Sequence, residues 1–294
     1  MKAIIYVFSG TGNTKRICSL YKDEFEKNGV ETSLFDVKAD MSDLPNPNEF
    51  DLVGFAYPIH AFNAPKIMLN LAKAIDKVQD KKIFILKSSG EPLKINNISS
   101  LKFMSILKKK GYVLESEYHY VMPYNMIFRH TDREAVKMWE TAKALAPIEA
   151  REVLAGKEHK LSRVFLGRLI AWVYRIEHPT MLLNGRCFKV DKDKCIMCRK
   201  CEKNCPVGNI KIDENGKFHF AGDCLMCTRC SFGCPTDAFS IGILNNWRIN
   251  GAYPLDKGVD ESAPEPKHHH GWYCKKAYAR YYKNAEAKIT QNRD

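Results

Sequence analysis

Residues 2–14 read KAIIYVFSGTGNT, and this stretch decides the fold of the first half of the chain. Its apolar, β-branched run at residues 3–9 predicts a buried strand of a parallel sheet. Two glycines then lead into a helical pattern. Four further strand-like runs follow before residue 155, at residues 32–37, 52–58, 82–88 and 112–122.

Helical spacing fills the segments between these strands, at residues 13–28, 64–78, 98–110 and 131–154. Gly29 and Gly111 stand where two of these helices would end in left-handed backbone. Thr131 with Glu134 forms a capping-box pattern at the start of the last helix. Parallel strands joined by helices predict a doubly wound, five-stranded α/β domain over residues 1–155. Because such domains bind ligands at the carboxyl ends of their strands, the strand-to-helix loops are the predicted site.

The loop after the first strand has the composition of a phosphate site. It consists of Ser9, Gly10, Thr11, Gly12, Asn13 and Thr14. Glycines let the backbone approach an anion, hydroxyls donate hydrogen bonds, and the helix N-terminus adds a positive dipole end. Lys15 replaces the small residue of a dinucleotide fingerprint, and the Gly-Lys-Ser/Thr of an ATP-type loop is absent. The loop therefore predicts a site for a terminal phosphate monoester; the alternative is a plain turn of small residues.

This loop resembles the FMN-phosphate loop of flavodoxins, and the strand pattern around it is similar to the flavodoxin fold. The resemblance implies two more loops that contact the isoalloxazine ring, one after the third strand and one after the fourth. Their residues are Tyr57, Pro58, His60, Ala61, Phe62 and Asn63, and then Ser89, Gly90 and Glu91.

Side chains of these two loops are the candidates for contact with the flavin. Tyr57, His60 or Phe62 would stack on a flat ring, or would only pack in the turn. His60 would alternatively donate a hydrogen bond to the flavin or remain in solvent. Gly90 would permit close backbone approach. No Tyr or Trp follows the fourth strand, so one ring face is expected to stay open.

Eight of the eleven cysteines lie in a repeat with a period of 29 residues. Cys-x-x-Cys-x-x-Cys-x-x-x-Cys-Pro occurs twice, as Cys195, Cys198, Cys201, Cys205 and Pro206 and as Cys224, Cys227, Cys230, Cys234 and Pro235. Three cysteines on one tight loop can hold three corners of an iron–sulfur cubane. Zinc is disfavoured because structural zinc sites usually take two separated pairs of ligands. Disulfides are disfavoured in a reducing compartment.

Residues 187–240 resemble a bacterial-type ferredoxin, which implies a small α+β domain with two 4Fe-4S clusters, and every ligand position is present. The resemblance implies that the fourth cysteine of each run crosses to the other cluster. One cluster would take Cys195, Cys198, Cys201 and Cys234, and the other would take Cys224, Cys227, Cys230 and Cys205. Since the segment has few apolar residues, we expect it to be unfolded without iron.

A connector and a tail complete the chain, which divides into residues 1–155, 156–185, 186–245 and 246–294. Residues 161–176 predict one helix docked between two domains; the alternative is a helix lying in a membrane interface. Its apolar stripe consists of Leu161, Phe165, Leu169, Trp172 and Ile176, interrupted by Arg163, Arg168 and Arg175. The tail from residue 246 has weak periodicity, and the sequence predicts no structure for it.

Three cysteines lie outside the repeat. Cys18 is predicted to be an inert buried thiol of the first helix, and Cys187 lacks the repeat spacing. Cys274 follows the histidines at 268–270, where a solvated polar tail is favoured over a metal site. None of these thiols has the sequence setting of a Cys/His catalytic pair.

The chain of 294 residues carries 46 basic and 34 acidic side chains, a formal net charge of +12. The excess is spread evenly and no nucleic-acid-binding motif accompanies it, so nucleic acid is not an expected partner. No apolar run is long enough to span a bilayer, and the first residues lead into a glycine turn instead of a signal-peptide cleavage site. We therefore expect a cytoplasmic protein without membrane contact, whose charge attracts acidic redox partners.

Together, the motifs resemble the prokaryotic flavodoxin–ferredoxin fusion proteins. Clusters pass single electrons and FMN accepts one or two, so the resemblance implies a low-potential electron carrier that serves redox proteins in anaerobic metabolism. The alternative is an FMN-dependent reductase of a small molecule fed by the clusters, for which only His60 and Glu91 are acid or base candidates. A redox-sensing module is a third interpretation, but no effector domain accompanies it.

Overall fold

The computed structural model describes residues 1–162, 164–257 and 274–292. The strands of its first half are β1 (Lys2–Val7), β2 (Glu31–Asp36), β3 (Leu52–Pro58), β4 (Lys81–Ser89) and β5 (Tyr112–Val121). They form one parallel sheet in the order β2-β1-β3-β4-β5. This is the strand order of the flavodoxin-like doubly wound fold. The predicted fold of the first half is therefore confirmed, and each strand lies within two residues of its predicted bounds.

Four helices cover the two faces of this sheet. They are α1 (Asn13–Lys27), α2 (Lys66–Ala74), α3 (Leu101–Leu107) and α4 (Asp132–Leu154). The predicted capping box is present, since the Glu134 backbone N–H donates to Thr131 Oγ1 at 3.0 Å and the Thr131 N–H donates to Glu134 Oε2 at 3.2 Å. Two helices are shorter than predicted. Pro65 precedes α2 and Ile75 ends it in extended backbone, and Lys94–Ser100 before α3 form a 3₁₀ helix.

Strand β1 explains why the first apolar run is continuous. Ile5 and Val7 point into a core shared with α1 and α4, whereas Ile4 and Tyr6 point into a second core shared with α2 and α3. Burial on both faces requires an apolar residue at each position of the strand. Because the strands are parallel, their carboxyl ends meet at one edge of the sheet, where the predicted ligand loops begin.

The cysteine repeat folds into a small α+β unit, as the sequence predicts. Its elements are β6 (Lys189–Val190), α7 (Lys200–Lys203), β7 (Ile210–Ile212), β8 (Phe218–Phe220), α8 (Arg229–Phe232) and β9 (Phe239–Ser240). β6 pairs with β9, and β7 pairs with β8, both in antiparallel fashion. The fully buried apolar core of this unit is small and comprises Phe188, Ile210, Met226, Phe239 and Ile241.

The connector differs from the prediction of one docked helix. It contains two helices, α5 (Gly167–Tyr174) and α6 (Glu177–Arg186). The apolar stripe that was expected to dock is instead at least 53% exposed at Phe165, Leu169, Trp172 and Ile176. The buried residues of α5 are Gly167 and Ala171. Arg163 lies outside the described residues.

The tail returns to the first domain. Its helix α9 (Lys275–Gln291) packs against α4. Tyr253 and Leu255 enter the core beside α1 and α4, and Ala285 of α9 joins them. The histidines at 268–270 lie outside the described residues. Within the described ranges, no helix combines the length and the apolar character that crossing a bilayer requires.

The cysteines outside the repeat differ in their surroundings. Cys18 is buried in α1, and burial raises the pKa of its thiol, which suits the inert role predicted for it. Cys274 is also buried, whereas Cys187 is exposed.

Candidate cofactor sites

Three predicted loops converge on one cavity of about 280 Å³, which we call the sheet-edge cavity. Twelve of the predicted contact residues line it: Ser9, Gly10, Thr11, Asn13, Thr14, Pro58, His60, Ala61, Phe62, Ser89, Gly90 and Glu91. The loops after β1, β3 and β4 thus meet where a doubly wound sheet binds its ligands.

The loop after β1 presents unused backbone donors beside this cavity. Four of its backbone N–H groups donate to no acceptor among the described residues, those of Gly10, Thr11, Asn13 and Thr14. The Gly12 N–H donates to Ser9 Oγ at 3.1 Å, and Gly12 enters α1 with a left-handed φ of 103°. The first turn of α1 contains no acidic residue. Unused donors at a helix N-terminus fit a phosphate group.

Two glycines of these loops have close neighbours that the sequence does not reveal. A Cβ at Gly10 would lie 2.6 Å from the carbonyl oxygen of Cys227, in the second cysteine run. A Cβ at Gly90 would lie 2.5 Å from the ring of Tyr124. Gly90 therefore borders the cavity, as predicted, and also permits the close approach of the Tyr124 ring.

Three predicted contact residues do not line the cavity. Tyr57 is fully buried, with its ring 5.6 Å from that of Phe103. It is a core residue, so the expectation that its ring could stack on a flavin is corrected. Asn63 is buried and donates from its side chain to the Ala61 carbonyl at 3.0 Å, which stabilises the turn. Gly12 shapes the loop through its backbone without bordering the cavity.

Other parts of the chain complete the cavity wall. They are Met122, Pro123, Tyr124, Asn125, Met126 and Ile127 after β5, Glu177 and Met181 of α6, Met226 of the second cysteine run, and Trp247 of the tail. The residues after β5 had a signal in the sequence, since β5 ends at the same sheet edge as its neighbours. The remaining residues depend on long-range docking and leave no local pattern. Tyr124 and Trp247 supply aromatic rings where the sequence predicts an open face.

Two carboxyl groups of the cavity wall lack a hydrogen-bond partner. The Oε2 atoms of Glu91 and Glu177 are buried and bond to no described residue. Burial raises the pKa of each carboxyl to about 7. The pKa of His60 is instead lowered to about 4 by burial and by His178, so its ring is neutral. Near neutral pH the wall therefore holds partly protonated carboxyl groups, which can donate a hydrogen bond or a proton.

We expect these carboxyl groups to make the ligand-free protein less stable as pH rises. A raised pKa means that folding favours the protonated form; this stabilisation is complete below the unfolded pKa of about 4.3 and is lost as pH rises through 7. Each group contributes roughly 3 kcal/mol to this change. The free energy of unfolding in urea should therefore fall between about pH 5 and about pH 8, and a Glu91→Gln, Glu177→Gln double variant should flatten that slope.

Glu140→Gln is the matched control, because Glu140 is an exposed glutamate of α4. It should keep the slope of the parent protein. An equally steep slope in the double variant would show that other groups cause the pH dependence.

A buried polar network fixes the loop after β4. Lys87 of β4 is fully buried, with Nζ 2.9 Å from Glu117 Oε1 of β5. Ser89 Oγ lies 2.8 Å from His119 Nε2. Burial, together with the charge of Lys87, lowers the pKa of His119 to about 3, so this ring is neutral. The buried ion pair and the Ser89–His119 hydrogen bond connect β4 to β5 beside the cavity wall.

The eight repeat cysteines border two further cavities. The first-run cavity is lined by Cys195, Cys198, Cys201 and Cys234, and Cys230 also borders it. The second-run cavity is lined by Cys224, Cys227, Cys230 and Cys205. Each cavity thus combines three cysteines of one run with the fourth cysteine of the other. A quartet of sulfur donors drawn from both runs fits a cubane cluster.

The two cysteine runs share one backbone path. Met197 has a φ of 51°, and its counterpart 29 residues later, Met226, has a φ of 48°. The residue after the second cysteine of each run is also left-handed. Such turns direct backbone N–H groups inward, as in many phosphate and iron–sulfur sites. Cys205 and Cys234 each accept a hydrogen bond at Sγ from the N–H four residues later, at 3.2 and 3.3 Å.

Removing iron is expected to unfold residues 187–240 and to leave the parallel sheet intact. The unit buries few apolar side chains, so metal binding must supply much of its folding free energy. After chelation, amide hydrogen exchange should lose its protection in β6–β9 and keep it in β1–β5. Retained protection across β6–β9 in the iron-free protein would show that the segment folds without metal.

The sheet-edge cavity and the second-run cavity are in direct contact. Arg229 donates from Nε to the Gly10 carbonyl at 2.9 Å and from Nη2 to the Ser9 carbonyl at 2.5 Å. Asn125 Nδ2 donates to the Cys227 carbonyl at 3.3 Å. These bonds fasten the loops after β1 and β5 to the second cysteine run.

Helix α6 also contacts the junction, by which we mean the region where the loops after β1 and β5 meet the second cysteine run. Glu177 near its start lines the sheet-edge cavity. Two turns later, Asn184 donates from Nδ2 to Met226 Sδ at 3.3 Å. A Cβ at Gly185 would lie 2.2 Å from the Cβ of Cys224. The helix therefore contacts both the sheet-edge cavity and the second cysteine run.

Residues 194–238 match the family model of the 4Fe-4S dicluster domain. The first half has the flavodoxin-like strand order described above. The chain is therefore a fusion of a flavodoxin-like domain and a 4Fe-4S dicluster domain. The predicted combination of these two units in the fusion is confirmed.

Solved flavodoxins are similar to the first half of the fusion. The flavodoxin of Streptococcus pneumoniae TIGR4 is 19% identical, with 53% of this chain and 99% of that chain covered and a TM-score of 0.39. Flavodoxin 2 of Bacillus cereus is 18% identical, with 50% of this chain and 97% of that chain covered and a TM-score of 0.34. No curated protein matches the fusion in sequence.

Proposed function

We propose that the fusion transfers electrons between two 4Fe-4S clusters and FMN, and that it serves partner proteins as a low-potential carrier. The observation that carries this proposal is the direct contact between the sheet-edge cavity and the second cysteine run through Arg229. When bound, the clusters supply one-electron chemistry and FMN supplies one- or two-electron chemistry. The chain therefore holds its two kinds of redox site side by side.

The residues of the sheet-edge cavity divide between the two ends of FMN. The unused N–H groups of residues 10–14 would hold the phosphate, as neutral donors at a helix N-terminus. The loops at residues 58–62 and 89–91 would line the flavin ring. Tyr124 and Trp247 add flat, partly apolar side chains to the same wall, which suits an aromatic ligand.

The cysteines divide into two ligand sets that follow the two cavities. One set is Cys195, Cys198, Cys201 and Cys234, and the other is Cys224, Cys227, Cys230 and Cys205. Backbone N–H groups that donate to Sγ stabilise thiolate charge and tune the reduction potential. We place this function in the cytoplasm, because a reducing compartment keeps thiols available as ligands.

The two cavities differ in their access to solvent. The second-run cavity lies against the flavin loops, whereas Cys198 of the first run is exposed. Its neighbours Ile196 and Met197 are 62% and 43% exposed. We therefore assign the first-run site to exchange with outside partners and the second-run site to exchange with the flavin.

An acidic redox protein is the partner that fits the surface of the first run. Exposed lysines in or near this run are Lys189, Lys192, Lys194, Lys200 and Lys203. Two clusters and the FMN phosphate add about −6, so about +6 of the +12 remains. Attraction between unlike charges raises the association rate and weakens as salt increases.

Cofactor analysis and kinetics test this function together. Anaerobically purified protein should contain about eight irons, about eight sulfides and about one FMN per chain. An acidic ferredoxin that has been reduced beforehand should reduce the bound FMN, at a rate that falls as salt rises. Colourless protein that contains zinc and no flavin would overturn the proposal.

FMN-dependent reduction of a small molecule is the second candidate function. It is favoured by the unpartnered carboxyl oxygens of Glu91 and Glu177 in the cavity wall. Reduction of an organic acceptor commonly takes up protons with the electrons, and a carboxyl group with a pKa near 7 can supply them. Multiple turnovers of a small acceptor without a protein partner would favour this function, and transfer only to proteins would reject it.

A further inference from the structure

Helix α5 exposes a continuous apolar face. The α5 apolar face consists of Phe165, Leu169, Trp172, Val173 and Ile176, which are 88%, 53%, 64%, 52% and 69% exposed. Leu169, Trp172 and Val173 lie on one side of α5 at spacings of three and four residues, while Phe165 precedes the helix and Ile176 follows it. Contiguous exposed apolar surface of this kind marks a contact site, whereas single exposed apolar residues are ordinary.

Small residues fix the rotation of α5 that leaves this face outward. Gly167 and Ala171 are buried against the first domain. A Cβ at Gly167 would lie 2.9 Å from Ile98 Cγ2 and 3.6 Å from Leu101 Cδ1. A side chain at position 167 would therefore require Ile98 to move. A rotation of α5 that brought Trp172 to this contact would clash with Ile98.

α5 lies over a basic groove. This groove runs along the inward side of the helix and is lined by the cationic side chains of Lys102, Lys108, Lys160, Arg168 and Arg175. The one acidic residue that lines this groove, Glu117, is buried against Lys87. Apolar residues with Trp and Phe, bordered by Arg and Lys, are typical of helices that lie on anionic membranes.

We propose that the α5 apolar face docks the fusion on an anionic membrane surface. An eight-residue helix spans about 12 Å and lies along the surface without crossing it. The apolar side chains would enter the acyl boundary while the arginines and lysines contact lipid head groups. The sequence predicts no membrane contact because no apolar run can span a bilayer, but a helix that lies on the surface needs no such run.

Docking on this face would bring the sheet-edge cavity close to the membrane. The ring of Tyr174, at the end of α5, lies 4.8 Å from the ring of Phe62 in the cavity wall. Glu177 and Met181, on the next helix, line the same cavity. Membrane contact through α5 is thus structurally linked to the wall of the proposed flavin site.

Flotation of the holoprotein with lipid vesicles tests the proposal. The protein should float with vesicles of phosphatidylcholine and phosphatidylglycerol, less with phosphatidylcholine alone, and less at high salt. A Leu169→Glu, Trp172→Glu variant should bind at least about tenfold more weakly, because two apolar contacts are lost and two negative charges are added. Arg168→Gln, Arg175→Gln should weaken binding to the anionic vesicles alone.

The matched control is a double variant, Gln79→Glu with Gln291→Glu, which adds the same two negative charges outside α5; both glutamines are exposed. It should float like the parent protein, and the visible spectra of all variants should be unchanged. The proposal is overturned if the parent protein stays unbound or if the α5 variant floats equally well. It is also overturned if sedimentation detects a dimer that the α5 variant abolishes, because the face then joins two copies.

Discussion

Replacing Cys205 with serine is expected to remove the cluster beside the flavin and to leave the other cluster in place. Cys205 stands in the first run but borders the second-run cavity with Cys224, Cys227 and Cys230. Iron should therefore fall from about eight to about four atoms per chain. Reduction of FMN by an acidic ferredoxin should slow at least about 100-fold, which is about 2.7 kcal/mol in the barrier.

Cys234→Ser is the matched control, because Cys234 holds the same position in the second run and borders the first-run cavity. It should also lose about half of the iron. A small one-electron donor that reaches the second-run site directly should still reduce FMN in this variant, and should fail in Cys205→Ser. If Cys205→Ser lost the cluster held by Cys195, Cys198 and Cys201, and Cys234→Ser lost the other, the assignment of the fourth ligand to the opposite run would be wrong.

Arg229→Ala is expected to detach the second cysteine run from the loop after β1. The guanidinium donates to the carbonyls of Ser9, Gly10 and Asn204, and its removal leaves acceptors unsatisfied at the junction. The contact should lose about 2–5 kcal/mol. Hydrogen exchange should increase at residues 9–12 and 227–230, and electron transfer from the clusters to FMN should slow, while iron stays near eight atoms per chain. Arg229→Lys should recover only part of the loss, because an ammonium lacks the planar fork of donors.

Lys200→Ala is the matched control for this substitution. Lys200 is the counterpart of Arg229 in the first run, 29 residues earlier, and its side chain is exposed. When a small donor reduces the clusters without docking on the first-run surface, this variant should leave exchange at residues 9–12 and transfer from the clusters to FMN unchanged. Equal effects of Lys200→Ala and Arg229→Ala would indicate a general loss of positive charge, and the junction would then not depend on these hydrogen bonds.

Local patterns were sufficient to predict the parallel sheet. The first strand is apolar from Ala3 to Val7 because both of its faces are buried there, and that property is visible in the sequence. Capping by Thr131 and Glu134 involves residues three apart. The helices that the sequence overextends, α2 and α3, end where backbone geometry changes at single residues, and apolar spacing alone does not record such changes.

The candidate sites were predictable where one loop supplies several groups. The phosphate loop and each cysteine run are short segments, and the residue types and spacing within each segment indicate which ligand it binds. Tyr57 was misplaced because an aromatic residue at the end of a strand can point to the core or to the ligand, and the sequence does not distinguish these faces. Glu177, Met226 and Trp247 reach the sheet-edge cavity only after the connector, cluster unit and tail have docked.

The orientation of α5 depended on the surface beneath it. Its large apolar residues have the spacing of a buried stripe, which is the usual arrangement in a globular protein. The buried residues of α5 are instead Gly167 and Ala171, and a side chain at position 167 would come within 2.9 Å of Ile98 Cγ2. A pattern can state which face of a helix is apolar, but the neighbouring side chains determine which face turns inward.

The interleaving of the two cysteine runs has a consequence for biogenesis. A nascent chain that has been synthesised as far as Cys205 contains three of the four sulfurs of the first-run cavity and one of the four sulfurs of the second-run cavity. The quartet of the second-run cavity is whole only after Cys230 has left the ribosome, and that of the first-run cavity only after Cys234, so the assembly machinery that inserts iron must wait for nearly the entire repeat. Truncated products would carry unprotected thiols and no finished metal centre, which makes them ready targets for oxidation and proteolysis.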